Sequence, residues 1–132
     1  MKWLWRCVCG LACCAMVVPV VPTQARADAK MAIDCAKPMG TVEEKYCTGE
    51  AYRAADEDLN QSWATFTSGL EPGFKQALIE AQRAWVTYRD RNCDAETFPA
   101  RGGTGYISFY NLCLERMTRQ RTEELRTLLE PN

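Results

Sequence analysis

Apolar residues along this chain recur with the period of a helix, in three long stretches separated by short glycine- and proline-containing breaks. Tyr52, Ala55, Leu59, Trp63 and Phe66 share one helical face, predicting a first helix from Thr41 to about Thr67, where Ser68-Gly69 and Pro72-Gly73 force a turn. Phe74, Leu78, Ala81, Trp85 and Tyr88 carry a second helix from about Phe74 to Thr97, stopped by Pro99 and by Arg101-Gly102-Gly103-Thr104-Gly105. Ile107, Tyr110, Cys113, Leu114, Met117, Leu125 and Leu128 form the stripe of a third, from near Tyr106 to about Leu129. Thr41 and Glu44 fit a capping box at the start of the first helix. No stretch alternates with period two, so the class is all-α, and short connections make neighbouring helices antiparallel in an up-down-up bundle. Residues 28–40 read as a short irregular N-terminal arm, broken by Pro38 and Gly40.

The first 27 residues have a different pattern. Lys2 and Arg6, an apolar run from Val8 to Val21 and the small-x-small site Ala25-Arg26-Ala27 describe a cleavable signal peptide, leaving residues 28–132 as the helical domain. The run is short and interrupted by Pro19 and Pro22, so no membrane insertion is expected after cleavage, and periplasmic or secreted localisation follows. Lipidation at Cys13 or Cys14 is the weaker reading, because apolar sequence continues past both. Removing Lys2, Arg6 and Arg26 leaves 13 basic against 17 acidic residues, a net charge of −4. That balance excludes nucleic acid as an expected partner and suits a cationic protein.

Cleavage also removes four cysteines, leaving Cys35, Cys47, Cys93 and Cys113 in an exported chain, which most simply make two disulfides. In the up-down-up arrangement all four lie near one pole. Cys35 and Cys47 flank the start of the first helix, and Cys93 and Cys113 sit at comparable depth on either side of the glycine-rich turn. This favours the pairs Cys35–Cys47 and Cys93–Cys113, with crossed pairings still open because the pole is shared. Spacings of twelve, forty-six and twenty residues and the absence of histidine argue against a zinc site, and no cofactor is expected.

Polar residues interrupt the apolar faces. Gln82, Arg89, Asn92 and Cys93 border or enter the face of Trp85, and Asp56 and Asn60 lie on or beside the face of Leu59. Hairpin geometry brings Asp56 level with Trp85, Tyr52 with Arg89, Asn60 with the Gln82 region, Glu115 with Arg89, and Arg121 with Gln82. Asp56, Asn60, Gln82, Arg89, Glu115 and Arg121 are therefore expected to form a buried, mutually satisfied polar network that fastens the bundle. Without histidine or free thiol the chain lacks the commonest general base and soft nucleophile, so no catalytic residue is assigned. Gly102-Gly103-Thr104-Gly105 has no lysine and no preceding strand, which makes it a turn and not a phosphate loop. Phe98, Pro99, Arg101, Thr104 and Tyr106 form a loop pinned at its base by the expected Cys93–Cys113 bridge, a candidate partner-binding epitope.

The order Asp34-Cys35, Cys47, Asp56-x-x-Leu59-Asn60, Gln82-Arg83-Ala84-Trp85-Val86-x-Tyr88-Arg89-Asp90-x-x-Cys93, a Gly-Gly turn, Cys113 and Met117-Thr118-x-x-Arg121-x-x-x-Leu125 resembles the LprI-like lysozyme inhibitor domain. The resemblance covers nearly all of the chain after the leader. It implies a small exported helical protein whose partner is lysozyme or another basic cell-wall hydrolase. The alternative is an envelope structural or immunity-type partner protein without action on lysozyme. The family's eponymous member is a lipoprotein; this chain departs from it in lacking a convincing lipidation motif.

Overall fold

The computed structural model describes residues 33–129; the leader expected over residues 1–27, and the start of the arm, lie outside them. Three helices account for most of this span: α1 (Thr41–Phe66), α2 (Pro72–Glu96) and α3 (Tyr106–Leu129), with a single 3-10 turn at Phe98–Ala100 between the last two. Among the described residues there is no strand, and no helix is long and apolar enough to cross a membrane.

The helix ends are set by local chemistry. Gly40, not Thr41, is the N-cap of α1, and no side chain caps that end in the expected box arrangement. Glu43 reaches back instead, accepting from the Met39 N–H at 2.7 Å. At α2, Pro72 occupies the first turn and the Glu71 carboxylate caps it, accepting from Gly73 N (2.8 Å) and Phe74 N (3.0 Å). Those two bonds favour the ionised form and hold Glu71 below the usual glutamate range. Threonines close the other ends: Thr67 and Thr97 donate their hydroxyls to the carbonyls of Trp63 (2.9 Å) and Cys93 (2.7 Å). Gly69 and Gly102 turn the chain with φ of 80° and 82°, a left-handed conformation in which a Cβ is strained.

The bundle runs up-down-up, with α1 and α3 parallel and close together and α2 laid along α3. Asn111 near the start of α3 donates to Thr48 Oγ1 near the start of α1 (3.3 Å), while Leu59 and Leu125 meet farther along both helices. Small side chains suit the close contact: Ala55 and Thr118 are fully buried and Thr122 nearly so. One core cluster gathers Cys93, Cys113, Leu114 and Met117 with Tyr52, Trp85 and Tyr110. The other joins Leu59, Leu78 and Leu125 to Trp63, Phe66, Leu70 and Trp85.

Because α1 and α3 pack against each other, α2 buries only a narrow strip, Leu78, Arg89 and Cys93, with Trp85 half-buried. The expected α2 stripe residues Phe74 and Tyr88 consequently face solvent, 43% and 59% exposed, and on α3 the stripe residues Ile107 (38%) and Leu128 (58%) are exposed as well. Both disulfides form as expected, Cys35–Cys47 and Cys93–Cys113, with Cα separations of 5.4 and 5.6 Å. The first ties the arm to α1 and the second ties α2 to α3. Such bridges are the mark of an oxidising compartment.

Candidate functional site

Arg89 sits where the three helices meet. Its side chain is 8% exposed, and it donates through Nε to Asp90 Oδ1 (2.9 Å) and through Nη1 to Thr118 Oγ1 (3.2 Å). Asp56 of α1 approaches Nη1 at 3.6 Å, and the guanidinium lies over the rings of Tyr52 (5.5 Å) and Trp85 (5.3 Å). Arg121 is placed on Trp85 as well, at 5.7 Å, and donates to Gln82 Oε1 (2.9 Å) and Glu124 Oε2 (3.2 Å). The six-residue network is therefore realised in part. Asp56 and Arg89 meet, as do Gln82 and Arg121. Asn60 does not reach Gln82: it is exposed and donates to Asp56 Oδ2 within α1 (3.2 Å). Glu115 does not reach Arg89: it pairs with Arg119 one turn along α3 (2.9 Å). Being level along the bundle axis does not set direction around the helix, and the α3 residue that meets Arg89 is Thr118. Asp90 and Thr118, unassigned from sequence, are the close partners. Thr118 was visible as a polar residue on the Cys113–Leu125 face; Asp90, adjacent to Arg89 in sequence, gave no helical-spacing signal.

Burial pushes the Tyr52 phenol up, against an opposing pull from Arg89, and burial with Asp90 and Asp94 nearby raises Tyr110. Among the described residues no group of three histidines, cysteines or carboxylates is arranged to hold a metal ion.

A groove of about 770 Å³ opens beside the second disulfide. Its apolar surface comes from Pro99, Ala100, Phe109, Leu112 and Cys113, and its charged rim from Glu96, Glu115, Arg116 and Arg119. The rim charges are matched in pairs, Arg116 with Glu96 at 2.6 Å and Arg119 with Glu115 at 2.9 Å. Phe109 is 56% and Leu112 47% exposed, a notable apolar surface for so short a segment.

The candidate epitope borders this groove unevenly. Phe98 is 63% exposed with Arg101 stacked over its ring at 4.8 Å, and Arg101 also donates to Asp94 Oδ1 (3.3 Å). Pro99 lines the groove directly. Thr104 is exposed in the glycine-rich turn, whereas Tyr106 is half-buried with its ring 6.1 Å from Tyr110. Phe109 and Leu112 escaped the sequence reading because they lie off the main stripe of α3. Their signal was a second apolar pair at i, i+3, followed by Arg116 and Arg119 on the same side.

The family model described as Lysozyme inhibitor LprI matches residues 34–125. An uncharacterised protein of Rhizobium meliloti (strain 1021) is 34% identical over 110 residues, covering 74% of this chain and 79% of that protein. No solved structure matches the chain.

Proposed function

Because the chain belongs to the LprI lysozyme inhibitor family, we propose that it is an exported binding protein that inhibits lysozyme or a related cell-wall hydrolase, through the disulfide-pinned pole. The observation that carries the choice of surface is the groove beside Cys93–Cys113, where Phe109 and Leu112 stand exposed on a cross-linked base. A rigid, partly apolar concavity with a charge-paired rim has the anatomy of a protein interface centre. A bridge at its base limits the ordering that binding must impose. Phe98, Pro99 and Arg101 extend the same surface around the 3-10 turn.

The experiment is a muramidase assay beside a binding isotherm, with the purified oxidised protein and with Leu112→Asp. Saturable inhibition by the parent, weakened about tenfold or more by Leu112→Asp at unchanged melting temperature, supports the reading. Absence of any complex at micromolar concentration in low salt removes lysozyme as the target. In that event the envelope-partner alternative gains, and co-purification from envelopes would identify the protein held.

A further inference from the structure

A second groove, of about 520 Å³, lies on the other side of the Glu96–Arg116 ion pair, between α2 and α3. Its chemistry differs from that of the first: polar groups dominate its lining, and its size falls within the ~300–1,000 Å³ of small-ligand sites. Three features narrow what it would take.

The first is charge. Its carboxylates are already matched, Glu96 by Arg116 at 2.6 Å and Glu124 by Arg121 at 3.2 Å. An ionic ligand would compete with these pairs, whereas a neutral one leaves both intact. The second is hydrogen-bonding balance. Asn92 donates its amide to Met117 Sδ (3.3 Å) and Gln120 donates its amide to Glu124 Oε1 (3.1 Å). Both side-chain carbonyl oxygens therefore remain without a donor among the described residues, and so does Glu96 Oε1, since Arg116 engages Oε2. A surplus of acceptors calls for a ligand rich in donors, which hydroxyl groups supply. The third is the aromatic wall. Tyr88 is 59% exposed at the groove despite lying on the expected apolar stripe, while Trp85 beside it already carries Arg89 and Arg121 over its ring. The open ring of Tyr88 offers an apolar face with a hydroxyl at its tip.

We propose that this α2/α3 groove is a binding site for a neutral saccharide, with Tyr88 as the stacking platform and the carbonyl oxygens of Asn92 and Gln120 as acceptors for sugar hydroxyls. A pyranose ring has the matching features: a C–H face for the tyrosine and peripheral hydroxyls for the amides, with no charge to disturb Glu96 or Glu124. The site adjoins the groove proposed to contact the hydrolase at the Glu96–Arg116 pair, which lines both, and its occupancy does not depend on inhibition.

The test is a titration of the isotopically labelled oxidised protein with chitotriose and maltotriose as neutral probes and a galacturonate trimer as the anionic one, followed by amide NMR. Saturable shifts centred on the side-chain amides of Asn92 and Gln120 with a neutral probe are expected. Tyr88→Ala and Gln120→Ala should each weaken that binding about fivefold or more at unchanged melting temperature, since both side chains are exposed. No saturable shift from either neutral probe up to about 10 mM overturns the proposal. So does stronger binding of the galacturonate trimer, or shifts confined to Phe109 and Leu112. Inhibition lost in Leu112→Asp but retained in Tyr88→Ala would keep the two sites distinct whichever reading fails.

Discussion

A guanidinium with 8% of its side chain exposed must find partners for its nitrogens, and each of the three nitrogens of Arg89 meets one without leaving the bundle. Asp90 and Thr118 take hydrogen bonds, Asp56 supplies opposite charge, and the rings of Tyr52 and Trp85 cover its faces. The two carboxylates are 43% and 47% exposed, so each can be rehydrated when the arginine is removed. Arg89→Ala should therefore cost about 2 kcal/mol, below the ~3–5 kcal/mol of a fully buried pair, which corresponds to roughly 8–16 °C in melting temperature for a domain of this size. Arg89→Lys keeps the charge but loses the planar fork and the stacking, and should fall between the two. Thermal unfolding of the oxidised proteins reads this directly; an unchanged melting temperature in Arg89→Ala would remove the network from the account of stability. At Glu71 the effect depends on pH. Its carboxylate pKa is depressed by two backbone bonds at the start of α2, so its contribution is present above the ordinary glutamate value of ~4.3 and lost as pH falls through the lower folded value. Glu71→Gln should lower the melting temperature at pH 7, with the gap from the parent closing on acidification toward pH ~3. A gap of constant size across that range would mean that charge at the cap is immaterial.

At the scale of elements, the three helices were legible because apolar periodicity and turn residues agree: the expected ends lie within two residues of those observed. The capping box was misread since both Glu43 and Glu44 stand at the right distance to reach back, and sequence does not say which residue leaves helical geometry first. What stayed illegible was how much of each stripe is buried. Phe74 and Tyr88 share a face with Leu78 and Trp85, yet a parallel α1/α3 pair in close contact leaves α2 only a strip to cover. The resulting strip concentrates the coupling of α2 on Cys93–Cys113, Leu78 and Arg89. The Cys93–Cys113 bridge spans 20 residues, and its loop is worth about 3 kcal/mol in the chain-entropy description. Replacing both cysteines by serine should lower stability by roughly that amount and raise hydrogen exchange at the C-terminal end of α2 and the 3-10 turn. Protection unchanged there, with α1 affected equally, would show that the bridge is not what anchors this corner. Only part of the candidate site could be read in advance for the same reason: the pinned loop follows from cysteine placement, but the groove needs α3 to turn Phe109 and Leu112 outward, which pattern alone does not settle.

For the whole molecule, two physical effects at the proposed interface act on different rate constants. Residues 28–132 carry a net charge of −4, and the rim of the apolar groove is neutral within itself because each arginine there faces a glutamate. Long-range attraction to a basic hydrolase should thus govern encounter, while the buried contacts of Phe109 and Leu112 govern how long the complex lasts. Raising ionic strength from about 0.01 M to about 0.15 M shortens the screening length from ~30 to ~8 Å, so the association rate constant should fall several-fold with little change in dissociation. Leu112→Asp should have the opposite signature, a faster dissociation at nearly constant salt dependence. Surface-plasmon kinetics across that salt range, with both proteins, separates the two. An association rate insensitive to salt would mean that the acidic balance of the chain plays no part in finding its partner, and would leave the local fit of the groove as the whole basis of recognition.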